Sequence, residues 1–530
     1  MQLVLSALRA ERPPRITRLL RRLEIRVFLL QILGFALCLP ARAQITIATE
    51  SYDQSRAGVN ASEIVLTPAF VASAAFQKFF AWQLDGYPYA QPLYVLGSPD
   101  LLIVATMNDT VYAFNADSTL AVSPIWEVNL IPTGEETVST FVGNPTGILS
   151  TPVYDPSTTT IYVVTYTENI SSSALIYRLH ALDLSSGAEK FFGPAVISSA
   201  TILGSENSQR AGLALANGQI YVGWASWGDA QPYVGYVTAY SASTLALNGS
   251  FAVATSGGGI WQSGMAPAVD SNGSVYYATG NAYTGDCNYG VTFGESILRF
   301  TNALGANLGD WFTTSYCTIY DGQDADLGST GPILFDNGTL ILQLDKDGDL
   351  RVLSTASLGN EATNDTQIVQ YLNIDPSGGC GGSPVYFNNT LYAWCTGDYF
   401  KTWTFNGTNF NTSPALTGST TTISGSPRSP SIAISANGTS NAIAWVLRPT
   451  STSNPKPGVL EAYDPTTLTL LYSSNTNATR DSSGNWIPFR RPLVDNGRVF
   501  VESASSEIAV YGLVNPDDPS PPSSVSVVVQ

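Results

Sequence analysis

The chain has 530 residues, of which 44% are hydrophobic and only 12% are charged, and its formal net charge is −17. Coiled coils and disordered chains carry far more charged residues, so both classes are excluded, and the abundance of Tyr, Trp, Thr and Ser indicates a large β protein. The single histidine, His180, lies in an alternating segment that predicts a structural role, which leaves catalytic triads and poly-histidine metal sites without an imidazole.

Residues 1–43 have the pattern of a secretory signal. They carry eight arginines, an apolar run over 27–39 and an Ala-Arg-Ala sequence before Gln44. A membrane anchor is the alternative, but it needs about 20 consecutive apolar residues, and charged residues interrupt any longer run. We therefore expect cleavage, a secreted or otherwise extracytoplasmic protein and no membrane span after cleavage. The remaining chain keeps 16 basic and 39 acidic residues, and this net charge of −23 argues against nucleic-acid binding.

Eight copies of one strand-turn-strand phrase follow, spaced by about 60 residues. Their alternating residues predict strands, and Asn and Gly supply the positive φ angles of tight hairpins. The copies cover 101–118, 153–187, 213–245, 268–281, 333–354, 385–408, 434–468 and 493–513.

This spacing predicts an all-β fold, an eight-bladed β-propeller of four-stranded antiparallel blades. It would form a single domain over 44–513, with 76–95 closing the ring beside 499–513, and the protein is expected to be a monomer. An array of two-sheet sandwiches is the structural alternative. The Pro/Ser-rich residues 514–530 are expected to form a disordered tail.

Four cysteines remain after the signal, and an even number in an exported chain suggests two disulfides. Three pairings are open, with four free thiols as the alternative, and we favour the local pairs Cys287 with Cys317 and Cys380 with Cys395. Twelve Asn-x-Ser/Thr sequons would make the chain a glycoprotein if the source organism glycosylates.

The phrases VYAFNAD (111–117), HALDLSSGAEK (180–190) and LEAYDPTT (460–467) resemble the repeats of quinoprotein alcohol dehydrogenases. Those enzymes are eight-bladed propellers that bind pyrroloquinoline quinone (PQQ) and Ca²⁺ near the axis. The whole chain is more similar to a group of exported, functionally undefined bacterial propellers related to them. The likeness covers most of residues 50–513.

Two clusters carry the resemblance to the cofactor site. GGGIWQSG (257–264) and VYYATGN (275–281) are similar to family segments whose Trp forms the floor under the quinone and whose Asn binds Ca²⁺, which implies these roles for Trp261 and Asn281. A flat quinone gains from an aromatic face, and Ca²⁺ prefers oxygen ligands. Asp229 is the nearest carboxylate to a family Glu that binds Ca²⁺, although the residue type differs. Core packing for Trp261 and a turn role for Asn281 are the alternatives.

Two further clusters resemble the catalytic part of the family site. YDGQDADLGS (320–329) is similar to the segment with the general base; Asp321 and Asp324 preserve its spacing, which implies Asp324 or Asp321 as the base, whereas Asp326 best matches the flanking residues. A carboxylate can take an alcohol proton without a histidine. In LQLDKDGDLRVLS (342–354), Lys346 occupies the place of a basic residue that contacts the quinone. A plain acidic turn or Ca²⁺ loop, and a solvated lysine, are the alternatives.

The sequence also departs from the family, because it has no adjacent Cys-Cys pair, no Cys-x-x-Cys-His haem motif and no recognisable quinone contacts in its first two blades. Two hypotheses follow. The first is an exported dehydrogenase of alcohol or sugar hydroxyls that depends on PQQ and Ca²⁺; the second is a non-catalytic extracellular binding or scaffold propeller for a glycan or protein partner. A hydrolase with paired carboxylates is a distant third.

Overall fold

The computed structural model describes residues 44–140, 143–197, 201–283, 287–375, 378–421 and 429–513. The expected signal (1–43) and tail (514–530) lie outside these described residues, so both domain boundaries stay predictions. No helix in the described part of the chain combines the length and apolar character needed to cross a membrane.

Eight antiparallel sheets, called blades 1 to 8, follow one another along the described chain. Two strands, β1 (Val59–Asn60) and β2 (Phe76–Gln83), precede blade 1, with helix α1 (Pro68–Val71) between them. Blade 1 consists of β3 (Leu93–Val95), β4 (Leu101–Ala105), β5 (Thr110–Asn115) and β6 (Trp126–Asn129). Blade 2 consists of β7 (Glu135–Thr140), β8 (Gly143–Thr146), β9 (Val153–Asp155), β10 (Thr160–Asn169), β11 (Leu175–Asp183) and β12 (Ala195–Val196). Blade 3 consists of β13 (Asn207–Ser208), β14 (Ala214–Ala216), β15 (Gln219–Ser226), β16 (Tyr236–Ser241) and β17 (Leu247–Ala252).

The remaining blades have four consecutive strands each, except that blade 8 takes its fourth strand from the start of the described chain and β1 adds to blade 7 by pairing in parallel with β30. Blade 4 consists of β18 (Ala268–Val269), β19 (Val275–Ala278), β20 (Ser296–Phe300) and β21 (Leu308–Thr313). Blade 5 consists of β22 (Ile333–Phe335), β23 (Leu340–Leu344), β24 (Asp349–Ser354) and β25 (Gln370–Asn373). Blade 6 consists of β26 (Val385–Phe387), β27 (Thr390–Ala393), β28 (Tyr399–Thr404) and β29 (Leu416–Thr421). Blade 7 consists of β30 (Ser431–Asn437), β31 (Ser440–Pro449), β32 (Gly458–Asp464) and β33 (Thr469–Ser473). Blade 8 consists of β34 (Leu493–Asp495), β35 (Arg498–Ser503), β36 (Glu507–Leu513) and the early strand β2.

The helical elements are short connectors. They comprise helices α2 (Cys317–Gln323) and α3 (Ala478–Asp481), and the 3-10 turns Gln262–Gly264, Leu327–Ser329, Thr363–Asp365 and Ser474–Asn477. The prediction of an all-β, eight-bladed propeller of four-stranded antiparallel blades is confirmed.

Strand burial follows position within a blade. All eight residues of β15 are buried, because an inner strand is covered on both faces by neighbouring blades. The outermost strand β29 alternates between half-buried and exposed residues. Hairpins use left-handed residues where predicted: Asn217 and Gly218 have φ of 53° and 70° between β14 and β15, the geometry of a tight two-residue turn.

The ring closes by pairing the two ends of the described chain. Strand β2 pairs antiparallel with β36, from Phe76 opposite Leu513 to Gln83 opposite Glu507. The expected closure is confirmed over these residues, but the expected segment was too long, because Leu93–Val95 begins blade 1. The Trp82 ring lies 4.6 Å from Phe114 of blade 1, so the closing strand also fills the gap between the last and first blades.

Residues 47–60 form an arm that crosses the hub of the propeller. Its backbone and side chains hydrogen-bond to one strand in each of seven blades, namely β3, β9, β14, β18, β22, β30 and β34. These bonds join Ile47 to Tyr94, Ala48 to Tyr154, Gln54 to Leu215 and Val269, Ser55 to Leu334, Gly58 to Ile434, and Asn60 to Val494. The arm therefore ties the blades to one another at their inner edges, which the sequence analysis did not foresee.

The two local disulfides are present, with Cα atoms 5.9 Å apart in Cys287–Cys317 and 4.6 Å apart in Cys380–Cys395. The first joins the loop after β19 to helix α2.

His180 on β11 is buried, with Nε2 3.0 Å from Thr165 Oγ1 and Nδ1 against Glu189. It therefore has the structural role that its strand pattern predicts.

Candidate functional site

A cavity of about 240 Å³ is built from loops of five blades. Some of these loops follow β15, β19 and β23, and the others precede β18, β22, β26 and β34. In an antiparallel pair the start of one strand and the end of the next lie at the same end, so the loops gather at one end of the ring. The lining residues are Ala225, Ser226, Gly228, Asp229, Tyr233, Gly259, Trp261, Ser263, Gly280, Asn281, Asp326, Gly328, Ser329, Lys346, Gly381 and Phe489. The structure thus brings Asp229, Trp261, Asn281 and Lys346, four of the sequence-derived candidates, to one cavity.

Trp261 supplies an aromatic wall. It lies in the segment before β18, and the Phe489 ring meets it edge-on at 6.4 Å. The buried guanidinium of Arg210 lies 5.7 Å from the centre of the Trp261 ring. Phe489 precedes blade 8 and Arg210 lies between β13 and β14 of blade 3, so the indole is held by elements far apart in sequence.

Asn281 follows β19 and presents its amide to the cavity. Its Nδ2 donates to Asp324 Oδ1 at 3.0 Å, which fixes the amide orientation. Its buried Oδ1 has no hydrogen-bond partner in the described part of the chain. A buried carbonyl oxygen left in this state is an available ligand for a cation or a donor group.

Lys346 links the two aspartates of the acidic segment. Its Nζ donates to Asp324 Oδ2 at 2.6 Å and to Asp326 Oδ2 at 3.0 Å. The lysine comes from the turn between β23 and β24, whereas both aspartates lie between helix α2 and β22. Burial disfavours the ammonium, but Asp326 and Asp324 outweigh burial and raise the pKa of Lys346.

The environments of the two aspartates push their pKa values apart. Burial raises the pKa of Asp326 to about 6, although Lys346 opposes the change. Burial also acts on Asp324, but hydrogen bonds from Lys346 and Asn281 outweigh it and lower the pKa of Asp324. Asp326 is therefore the better proton acceptor near neutral pH, because its pKa lies closer to the working range of a general base.

Asp229 also lines the cavity, from the loop between β15 and β16. Its Oδ1 accepts from Ser226 Oγ at 3.0 Å and from Tyr233 Oη at 3.2 Å. The carboxylate of Asp229 is thus held in place by its own loop.

Asp321 lies outside the cavity lining, although it was assigned together with Asp324 as a candidate base. Its Oδ1 accepts the backbone amide of Ala282 at 2.9 Å, and its Oδ2 lies 3.3 Å from Cys287 Sγ. These contacts fasten the loop after Asn281 to helix α2. Asp324 contacts Asn281 and Lys346 at the cavity edge, whereas Asp326 is the aspartate of this segment that lines the cavity.

Glu295 is a buried carboxyl group that the sequence analysis missed. Its Oε2 accepts the amide of Leu327 at 2.6 Å, and its Oε1 has no hydrogen-bond partner among the described residues. Burial, reinforced by Asp326, raises the pKa of Glu295 well above its ordinary value. Asp326 has a left-handed φ of 39°. The hydrogen bond that Glu295 accepts from the next residue, Leu327, stabilises this conformation. The available signal in the sequence was a Glu directly before the buried strand β20.

Further buried charged residues lie next to the cavity. Arg490 donates at 3.4 Å to the carbonyl of Ser263, which lines the cavity. Beside it, burial raises the pKa of Glu502 to about 8, against the opposing effect of Arg490. The unfolded chain releases this proton near the ordinary value of 4.5, whereas the folded chain keeps it until about pH 8. The free energy of unfolding therefore falls as pH rises through this window.

Glu502→Gln keeps a neutral side chain at every pH. Between pH 5 and 9 the variant should lose less unfolding free energy than wild type, by on the order of 4 kcal/mol. Urea unfolding at several pH values measures the difference. The exposed Glu127→Gln should retain the wild-type pH response, and a Glu502→Gln curve parallel to wild type would contradict the assignment.

No protein-family model and no curated protein matches this chain. Among solved structures, a quinohemoprotein alcohol dehydrogenase, ADHIIG from Pseudomonas putida HK5, matches with a TM-score of 0.59 and 13% identity over 90% of this chain and 82% of that one. This chain shares the overall propeller fold of that dehydrogenase. BamB from Moraxella catarrhalis matches with a TM-score of 0.49 and 13% identity over 84% of this chain and 99% of that one. At these identities the quinoprotein-type likeness concerns the fold alone.

Proposed function

We propose that this quinoprotein-type propeller is an exported dehydrogenase that uses PQQ and Ca²⁺ to oxidise an alcohol or sugar hydroxyl. The observation that carries the proposal is the convergence of Trp261, Asn281, Asp326 and Lys346 on one cavity. They come from separate segments in the order that the resemblance implies. The two disulfides suit an oxidising compartment, in agreement with export.

The residues present fit both groups. The Trp261 ring offers a flat apolar face to a planar quinone. Asn281 Oδ1 is a buried oxygen that lacks a partner among the described residues, and Asp229 adds carboxylate oxygens on the same cavity; these are the oxygen donors that Ca²⁺ prefers. When bound, PQQ would supply the acceptor for the hydride that leaves the substrate carbon.

The protein's own part in the reaction is proton handling and orientation. Asp326 would take the proton from the substrate hydroxyl through its Oδ atoms, since its raised pKa keeps it basic enough at neutral pH. Lys346 would hold the Asp326 carboxylate in place and balance negative charge that develops beside it. Asp324 would orient Asn281 and Lys346 rather than carry a proton.

Reconstitution tests the proposal directly. The purified protein is incubated with PQQ and Ca²⁺, and PQQ uptake is followed by absorbance after gel filtration. We expect about one PQQ per chain, uptake that requires Ca²⁺, and dye reduction with some members of an alcohol and sugar panel. Failure to retain PQQ in the presence of Ca²⁺ would reject the proposal.

A second candidate is a non-catalytic binding propeller for an extracellular glycan or protein. The Lys346 ammonium favours it, because it already balances Asp324 and Asp326 without an added cation. The missing Cys-Cys pair points the same way. In the reconstitution experiment, this candidate predicts no PQQ uptake and no dye reduction.

A further inference from the structure

A second cavity, of about 340 Å³, lies in blade 5 and the adjoining helix α2. Its residues come from helix α2 and the residue before it, from β24 and β25, and from the connection between these two strands. They are Tyr316, Tyr320, Asp349, Arg351, Asn364, Asp365, Ile368 and Tyr371, here called the tyrosine pocket. None of these residues lines the 240 Å³ cavity that contains Trp261 and Asn281.

The floor of the tyrosine pocket is a buried guanidinium. Arg351 is 1% exposed, and its Nη1 donates to Asp345 Oδ2 at 2.7 Å while its Nη2 donates to Tyr320 Oη at 2.5 Å. Burial opposes the Arg351 cation, but Asp345 and Tyr320 outweigh burial and raise the pKa of Arg351. The group is therefore a permanent cation with a fixed orientation.

One donor of this guanidinium is left over. Arg351 Nε has no hydrogen-bond partner in the described part of the chain and lies 3.9 Å from Asp365 Oδ2, beyond hydrogen-bond distance. Asp365 Oδ2 accepts from Thr314 Oγ1 and keeps capacity for a second donor. A hydroxyl group both accepts and donates, so a single hydroxyl between the two atoms would satisfy both.

The mouth of the pocket is aromatic. Tyr316 and Tyr371 are 39% and 50% exposed. Tyr371 Oη donates to Asp349 Oδ1 at 2.6 Å, which restrains its ring. Exposed, restrained tyrosine rings provide apolar contact area at little cost in conformational entropy. Such faces suit the C–H face of a sugar ring, whose hydroxyls would reach the polar floor.

We propose that the tyrosine pocket binds a saccharide, with one sugar hydroxyl between Arg351 Nε and Asp365 Oδ2 and the sugar ring against Tyr316 and Tyr371. An organic cation is disfavoured, because the Arg351 guanidinium already lies 5.2 Å from the Tyr320 ring and 5.7 Å from the Tyr371 ring and would repel it. The inference goes beyond the proposed dehydrogenase, since binding here needs neither PQQ nor Ca²⁺.

Calorimetric titration of the full chain, without PQQ, against cello-, xylo-, malto- and chito-oligosaccharides tests the proposal. We expect saturable binding of at least one series at one site per chain. Tyr371→Ala and Tyr316→Ala should each weaken it about tenfold, since each removes an aromatic face from an exposed position. Tyr399→Ala on blade 6 is the matched control, because Tyr399 is 40% exposed and lies outside the pocket. This variant should bind the saccharide with the affinity of the wild type.

Three results would overturn the inference: no binding by any series, unchanged affinity in the Tyr316→Ala/Tyr371→Ala double variant, or tighter binding of choline than of any saccharide. The first result would mean that water alone bridges Arg351 and Asp365. Asp326→Asn separates this inference from the proposed function, because it should lower dye reduction by at least about 100-fold and leave saccharide affinity unchanged. Failure of PQQ uptake with intact saccharide binding would remove only the dehydrogenase.

Discussion

Asp326→Asn should lower kcat/KM of the PQQ-loaded protein by roughly 10²- to 10⁴-fold, the range typical of losing a general base. The amide preserves the shape of the side chain but cannot accept the substrate proton. Dye reduction at saturating Ca²⁺ measures the loss, and PQQ retention by the variant shows that the cofactor site is still present. A variant that retains PQQ and wild-type kcat/KM would remove Asp326 from the mechanism.

The matched control is Asp336→Asn, at an exposed turn between β22 and β23 where φ is 50°. Asn tolerates this left-handed conformation, so both stability and turnover should be unchanged.

Asp324→Asn distinguishes the two aspartates that contact Lys346. It should disturb the orientation of Asn281 and lower PQQ or Ca²⁺ retention, because the amide has one acceptor oxygen for the two donors Asn281 Nδ2 and Lys346 Nζ.

The pH dependence follows from the same assignment. Burial raises the pKa of Asp326 to about 6, and a base must be deprotonated to act. The kcat/KM of the wild type should therefore rise as pH increases through about 6, and this limb should be absent in Asp326→Asn.

Sequence alone could predict the blades because a period-2 pattern, repeated with Asn-Gly turns, records the local geometry of each strand. The choice of Trp261, Asn281 and Lys346 came from the resemblance to quinoprotein alcohol dehydrogenases, and the predicted ring explains how loops of successive blades bring them to one cavity. Only spatial packing separates the roles of Asp321, Asp324 and Asp326. The three residues lie within six positions, yet Asp321 fastens a loop and Asp326 lines the cavity.

The arm and the tyrosine pocket leave no repeat in the sequence from which they could be predicted. The arm over 47–60 contacts seven blades through single backbone atoms and isolated side chains, which no repeat records. The tyrosine pocket combines residues from helix α2 with residues of blade 5, and its floor depends on where Arg351 Nε falls relative to Asp365. A loop-borne site of this kind becomes visible only after the blades are packed.

Arg56 is the polar anchor of the arm. It is fully buried, and its guanidinium donates to the Pro267 carbonyl at 2.8 Å, to Thr49 Oγ1 at 2.7 Å and to the Glu50 carbonyl at 2.8 Å. Burial lowers the pKa of Arg56 to about 10, with Glu50 opposing the shift, so the side chain stays charged at neutral pH. Pro267 immediately precedes β18, so the bond to its carbonyl joins the arm directly to blade 4.

Arg56→Met should therefore lower the free energy of unfolding by about 4 kcal/mol or more, since it leaves several buried acceptors without a donor. Urea unfolding measures the loss, and limited proteolysis near residues 44–60 should become faster because the arm detaches first. Arg480→Met is the comparison variant; because Arg480 is 38% exposed and pairs only with the adjacent Asp481 among the described ion pairs, its loss should be smaller than that of Arg56→Met. A loss below about 1 kcal/mol for Arg56→Met would mean that the backbone bonds of the arm hold the blades together without its buried cation.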